Sequence, residues 1–287
     1  MNTFVSKFGG TSLASSKEIR HVEQIASKLE RRFVVVSAPG KRFGNDEKIT
    51  DLLIECFDRA SKRLDFSKPF NKIKERYIEI ATDLGVNVNL DAEFGAIKMN
   101  LNFDPNYDYI LSRGEYLSAI IIAKFLHRKF IDPSQFMIMS NGGRVNLKQS
   151  KILFDKLVSD DGYYVIAGFY GRTKKGEIKT FSRGGSDITG AVVANLASAQ
   201  KYENFTDVDG VFDADPNFTK LAKKIDIMTY DEMYKMAKSG AKVLHPDCIK
   251  YLRSKNIALN IRNTFNLVDF GTLVVGENYI KKLEKKG

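Results

Sequence analysis

The chain is 287 residues long, 43% hydrophobic and 28% charged, with 45 Lys and Arg against 35 Asp and Glu. This composition predicts a sizeable core, in one large α/β domain or two small ones, and excludes disorder over most of the chain. No apolar run reaches membrane-spanning length, and Cys56 and Cys248 stand too far apart in sequence to give a disulfide framework or a zinc site, which fits a reducing cytoplasm.

The net charge of +10 raises nucleic acid, a membrane surface or small anionic substrates as partners. The basic residues are interleaved with acids, and no stretch alternates basic and aromatic residues as an RNA-binding sheet does. A solvated basic surface is therefore the better reading. The densest run is Lys281-Lys282-Leu283-Glu284-Lys285-Lys286.

In chain order, a strand over 3–8 begins almost at Met1, so no signal peptide is expected. It ends in Lys7-Phe8-Gly9-Gly10-Thr11-Ser12, and a helix start follows. A strand, a glycine turn and a helix N-terminus together make a phosphate-binding arrangement, and a lysine at the strand end adds a full positive charge. An ordinary turn with a solvated lysine is the alternative. Ser15 with Glu18 has capping-box spacing, and Ile19, Val22, Ile25, Ala26 and Leu29 recur at helical spacing. Phe33-Val34-Val35-Val36 reads as a buried parallel strand. Ser37-Ala38-Pro39-Gly40 lies at its C-terminal end, where open parallel sheets bind ligands. A polar loop over 41–48 leads to a long helix beginning at Ile49-Thr50. Residues 68–85, 91–103 and 107–127 read as helical. Within the last, Ser112-Arg113-Gly114-Glu115 is placed just ahead of an apolar helix over 117–125, and first-turn capping is the plain reading of Glu115.

Strands are expected at 136–139, 163–169 and 178–181, with a hairpin between the last two and a helix over 150–159. Ser182-Arg183-Gly184-Gly185-Ser186-Asp187 then opens a small-residue helix over 188–199, a second arrangement of glycines and a cation at a helix mouth. A strand over 202–206 runs into Asp207-Val208-Asp209-Gly210, a turn, and an acidic loop over 213–217. Thr229 with Glu232 is a second capping box. After Gly240-Ala241-Lys242-Val243-Leu244-His245-Pro246 come a helix to residue 255 and strands at 257–261 and 273–275. Alternating strands and helices argue for one α/β domain of one or two lobes.

Several chemistries are excluded. There is no P-loop motif, no Gly-x-Gly-x-x-Gly after a strand and no Gly-x-Ser-x-Gly elbow. His21, His127 and His245 form no metal motif. What remains is phosphate handled by glycine turns and cations, which suits phosphoryl transfer.

Lys7-Phe8-Gly9-Gly10-Thr11-Ser12 resembles the opening signature of the aspartate kinases, in the amino-acid kinase family. Val36-Ser37-Ala38, Ile49-Thr50-Asp51-Leu52-Leu53, Ser112-Arg113-Gly114-Glu115, Ala167-Gly168-Phe169, Ser182 to Asp187, Thr206 to Val211, and Gly240 to Pro246 follow in family order, so that the resemblance spans about residues 3–276. It implies a carbamate-kinase-like α/β fold, an open and mostly parallel sheet sandwiched by helices. The substrate lobe would be about 1–180, the nucleotide lobe about 181–276, and 277–287 a basic tail or linker stub. It implies transfer of the γ-phosphoryl group of ATP to the β-carboxylate of L-aspartate, the first step of lysine, threonine, methionine and diaminopimelate biosynthesis. Magnesium would be held mainly by ATP, with no metal site on the protein.

By this resemblance, Lys7 neutralises the moving phosphoryl group and Asp187 holds Lys7. Gly9, Gly10, Thr11, Ser12, Gly184 and Gly185 cradle phosphates. Arg183 pairs with the substrate α-carboxylate and Glu115 with its α-amino group, while Ser37, Ala38, Thr50 and Ser186 line the pocket. Thr206, Asp207 and Phe212 contact the nucleotide, and Lys242 its phosphates. Phe212, Asn217 and Ser182 depart from the usual tyrosine, arginine and glycine. The family commonly carries C-terminal ACT regulatory domains that this sequence lacks, implying an unregulated form, regulation on another chain, or a fragment. A cytoplasmic homo-oligomer, a dimer, is expected, or a partner regulatory chain, without nucleic acid or membrane. Other readings are a kinase for a different small acid and a non-catalytic homologue. Glu115 argues against an N-acylated substrate, and the presence of both Lys7 and Asp187 argues against loss of catalysis.

Overall fold

The computed structural model describes residues 2–182, 184–214, 219, 221–240 and 243–284. The first half of the chain carries β1 (Phe4–Phe8), α1 (Ser16–Ala26), β2 (Arg31–Val36), α2 (Ile49–Ser61), α3 (Ser67–Asp83), α4 (Asp91–Phe103), α5 (Tyr107–Phe125), β3 (Lys129–Ile131), β4 (Ile138–Met139) and α6 (Leu147–Phe154). The second carries β5 (Tyr164–Ala167), β6 (Tyr170–Thr173), β7 (Ile178–Thr180), α7 (Gly185–Leu196), β8 (Lys201–Thr206), β9 (Val211–Phe212), β10 (Lys224–Ile225), β11 (Ile227–Thr229), α8 (Tyr230–Lys238), α9 (Cys248–Arg253), β12 (Ala258–Asn263), β13 (Thr272–Val275) and α10 (Glu277–Glu284).

Among the described residues, one sheet takes eight strands in the order β11-β13-β12-β8-β1-β2-β5-β3. From β12 to β3 all neighbours are parallel, and only β13 runs against β12. The expected mostly parallel sheet is thus present, and it runs unbroken across residue 180. Strand β1 sits at its centre, with β2 on one side and β8 on the other. The chain reverses its direction of sheet growth there, which opens a crevice at the C-terminal ends of β1 and β8.

Helices cover both faces. All six residues of β2 are buried, as its β-branched run predicts. Val34 and Val36 join Phe8 and Phe205 in one core with residues of α1 to α5, while Phe33 and Val35 join Val5 and Tyr202 in another with residues of α6 to α9. The strand alternation thus feeds two cores, one on each face. Among the described residues, no helix is long and apolar enough to cross a membrane.

Three local expectations change. Glu115 is not in a first turn: α5 starts eight residues earlier, at Tyr107, capped by Asn106. The helix expected over 107–127 is thus one continuous element, with Glu115 in its middle rather than at the start of a separate apolar helix. The Ser15 side chain accepts from the Lys17 N–H and contacts the Glu18 carboxylate, whereas Thr229 and Glu232 form the full reciprocal box. Residues 277–284, expected as a tail, form α10.

The α1 face of the sheet buries one ion pair at mid-strand. Arg31 donates to Glu203 at 2.6 and 2.9 Å, and Ser6 donates to the same carboxylate at 2.8 Å. Burial pushes the Glu203 carboxyl up, but Arg31 and Ser6 outweigh that and hold it below its ordinary 4.5. A carboxyl depressed on folding stabilises above its unfolded value and loses that contribution as pH falls through its folded one. Stability to denaturant should therefore fall as pH drops below 4.5. Glu203→Gln should cost about 3 kcal/mol at pH 7 by stranding Arg31, and should flatten this acid limb. An acid limb unchanged in the variant would exclude Glu203 from that role.

Candidate active site

The site forms where β1, β2, β5 and β8 end side by side. Lys7, next to last in β1, lies in register with Val35 of β2 and Asn204 of β8. Its Nζ is 2.6 Å from Oδ1 of Asp187, and both side chains are largely buried. Asp187 is in the first turn of α7, where a carboxylate complements the positive end of the helix dipole. Its second oxygen accepts the His245 N–H at 3.2 Å, and the Asn204 amide approaches Oδ1 at 3.4 Å. The carboxylate is thus fixed from three elements, and it fixes Lys7 in turn.

Above Lys7 the chain turns through Gly9 and Gly10 into a 3-10 turn, Gly10–Leu13. Gly9 donates to Phe205 O at 3.1 Å, and a side chain at Gly9 would come within 3.6 Å of the Lys7 Nζ. Gly10 abuts Gly40 of the loop after β2: a Cβ on Gly40 would lie 2.7 Å from the Gly10 carbonyl carbon. Here glycine is required by backbone packing against backbone. Among the described residues, the Gly10 and Thr11 N–H groups have no acceptor, and Thr11 is exposed. Ser12 differs from expectation. It is fully buried, its hydroxyl lies 2.6 Å from that of Thr264, and its N–H donates to Gly9 O. Its polar groups brace the turn from beneath.

Gly184 caps α7 at φ +74°, and an added Cβ would meet the His245 Cβ at 2.9 Å and its ring at 3.0 Å. Gly185 and Ser186 are buried in the first turn, with Ser186 packed on Gly168 at the end of β5. Phe169, next to Gly168, has φ +79°, a costly conformation for an aromatic residue. Its N–H is held by Thr189 at 3.0 Å, and its ring lies where a Gly185 Cβ would come within 2.7 Å.

On the other face, Glu115 projects from α5 and is 4% exposed. Its Oε2 has no hydrogen-bond partner among the described residues. Burial pushes its carboxyl up to about 8, against the opposing pull of the Ala38 backbone and the Lys7 charge. Gly114 lets α5 approach, since a Cβ there would sit 2.8 Å from that of Ala38. Ala38 is buried, Ser37 is partly exposed, and Thr50 stands in the first turn of α2.

Toward β9, Thr206 closes β8 and its hydroxyl contacts Asp207. Asp207 is exposed and Phe212 partly so. Asn263 anchors this corner, donating to Asp209 at 2.8 Å. Arg183, Lys242 and Asn217 lie outside the described residues. Among those described, no group of three or more His, Cys, Asp or Glu is placed to hold a metal.

The structure therefore brings Lys7, Gly9, Gly10, Asp187 and Glu115 to one rim with Ala38. Asn204, His245, Phe169 and Thr264 were missed by sequence reasoning as parts of it. Ala167-Gly168-Phe169 stood out as a motif, but nothing local signalled the positive φ. Asn204 stands in a largely polar strand, Lys201-Tyr202-Glu203-Asn204-Phe205-Thr206, so its neighbours do not single it out.

The amino acid kinase family model matches residues 2–263. Aspartokinase 3 of Bacillus subtilis is 35% identical over 288 residues, which cover 95% of this chain and 63% of that protein. The aspartokinase of Chlamydia trachomatis is 33% identical, over 94% of this chain and 64% of that one. Among solved structures, the aspartate kinase of Clostridium acetobutylicum superposes with a TM-score of 0.89 at 36% identity, covering 97% of this chain and 63% of its own. Aspartokinase III of Escherichia coli, in complex with aspartate and ADP, gives 0.85 at 25% identity, covering 96% and 65%. The chain thus spans less than two thirds of the length of these relatives. With its sheet, its glycine turns and a family match over nearly its whole length, the chain belongs to the amino acid kinase family.

Proposed function

We propose that the chain transfers the γ-phosphoryl group of ATP to the β-carboxylate of L-aspartate. One juxtaposition carries the reading. A lysine clamped by Asp187 beside a glycine turn stands on one side of the rim, and Glu115, a buried carboxyl with one oxygen unpartnered among the described residues, stands on the other. The first suits a transferring phosphoryl group and the second a substrate ammonium. The likeness to an aspartokinase solved with aspartate and ADP supports it.

In this reading an aspartate β-carboxylate oxygen forms a bond to the γ-phosphorus. The bond from that phosphorus to the bridging oxygen breaks, and its electron pair leaves with ADP. The nucleophile is ionised at neutral pH, so no strong base is needed. What opposes the reaction is repulsion between carboxylate and polyphosphate, and Lys7 with the Gly10 and Thr11 N–H groups would lower it. Arg183 would take the α-carboxylate as a bidentate partner. Ser37, Thr50 and Ser186 would line the pocket, with Thr206, Asp207, Phe212 and Lys242 toward the nucleotide. Magnesium would arrive on the ATP phosphates. The reading includes a cytoplasmic setting, and assembly as a homodimer or with a regulatory chain.

An acyl-phosphate trap tests it directly. With MgATP, L-aspartate and hydroxylamine, aspartyl hydroxamate is expected. Product with glutamate but not aspartate would instead favour a kinase for another small acid. Lys7→Ala should lower kcat by about a hundredfold or more, and a near-normal kcat would overturn its role.

Glu115 adds a pH signature. With its carboxyl near 8, it is mostly protonated at pH 7 in the free protein. A bound ammonium favours the ionised form, so aspartate binding at pH 7 should release up to about one proton. Calorimetry in buffers of different ionisation heat should register it, and Glu115→Gln should abolish the release and raise KM for aspartate. Binding heats independent of buffer would remove Glu115 from the ammonium site.

A further inference from the structure

The loop from Ser37 to Lys48 joins β2 to α2. It carries Ser37 and Ala38 at one end and delivers Thr50 at the other. Residues 41–45 are exposed, and such a polar segment has little apolar burial to hold it in one conformation. Asp46 is the exception, at 9% exposure. Both its oxygens accept from Arg76 Nη2, at 2.7 and 2.8 Å, and both also accept from the partly exposed Arg42 guanidinium, at 3.0 and 3.2 Å, with the Arg42 backbone N–H adding a bond at 2.9 Å.

Arg76 comes from the middle of α3 and is 5% exposed. Its other terminal nitrogen, Nη1, reaches Gly40 O at 3.3 Å and Ala14 O at 3.5 Å. One guanidinium therefore touches both ends of the exposed stretch and the segment after the β1 glycine turn. Gly40 in turn donates to Gly10 O at 2.8 Å and packs on that backbone. Two residues before Gly40 stands Ala38, packed on Gly114 beside Glu115.

A buried ion pair contributes little net stability over a well-packed apolar pair, because desolvation offsets attraction. What Asp46 and Arg76 supply is placement: a rigid fork whose acceptors, Gly40 O and the Asp46 carboxylate, lie at the two ends of one exposed segment. We infer that Arg76 and Asp46 are positioning residues for the amino-acid substrate, clamping loop 37–48 against the β1 turn. The substrate part of this inference rests on the proposed function, whereas the clamp itself does not.

Two measurements on Arg76→Met, Asp46→Asn, Arg76→Lys and the double variant Asp46→Leu/Arg76→Met separate these parts. The first is limited trypsinolysis, since the loop offers Lys41, Arg42 and Lys48. Cleavage there should quicken by about tenfold or more in the double variant, as the open form becomes populated. An unchanged rate would overturn the clamp whatever the enzyme does. The second is steady-state kinetics in the hydroxamate assay. The Met and Asn variants should raise KM for aspartate about tenfold and leave KM for MgATP within about twofold. Arg76→Lys should recover part of the loss. Removing both charges should restore the melting temperature of the double variant, yet leave its aspartate KM raised. A double variant that regains normal KM along with its stability would reduce the pair to a structural role. Equal rises in both KM values would overturn the substrate assignment. Wild-type protein that resists trypsin but forms no hydroxamate would refute the activity and leave the clamp standing.

Discussion

The site depends on one contact, the 2.6 Å pair between Lys7 and Asp187. It joins the first strand to a helix that begins nearly 180 residues later. Neither side chain could be buried alone, because an unpaired charge at such a position is costly. Together they fix the relation between the two halves of the rim. Asp187 in turn depends on the His245 N–H and the Asn204 amide, while the Tyr202 hydroxyl donates to its main-chain carbonyl at 3.1 Å. The pair is therefore built from β1, α7, β8 and the turn before α9, and shifting any of these would move Lys7.

Backbone packing sets the distance between the glycine turn and the loop after β2. Gly10 and Gly40 meet main chain to main chain, with the Gly40 N–H on Gly10 O at 2.8 Å. Any side chain at Gly40 would push the β2 loop off the β1 turn. Ala38 and Gly114 repeat the device on the α5 side. Small residues thus draw the Lys7 turn and the Glu115 side of the rim close together.

The sequence made some of this legible and hid the rest for identifiable reasons. The turns at Gly9-Gly10 and Gly184-Gly185 were readable because glycine spacing and a helix start are local signals. The β-branched run at 33–36 was readable as a buried strand for the same reason. Glu115 was read as preceding a separate apolar helix over 117–125, whereas it lies in the middle of α5. Arg76 falls on the apolar face of α3 with Ile73, Tyr77 and Ile80, but its partner Asp46 is thirty residues away, and nothing local names it. Ser12 was read as a phosphate contact because its neighbours in sequence belong to the rim. Its own side chain points to Thr264, a partner 252 residues away. Local chemistry can be read from a string of residues, but long-range pairing needs the fold.

The two buried glutamates show how structure separates stability from function. Glu203 is saturated: Ser6 and Arg31 satisfy both its oxygens, and its carboxyl is held low. Glu115 is equally buried, but one oxygen has no partner among the described residues and its carboxyl is pushed up to about 8. A buried carboxylate with its bonds complete costs little to keep and has nothing left to offer a ligand. One left incomplete carries a standing penalty that a cation placed beside it would relieve. Burial alone would rank the two as equals. Their unmet hydrogen-bonding capacity makes Glu203 part of the scaffold and Glu115 part of the site.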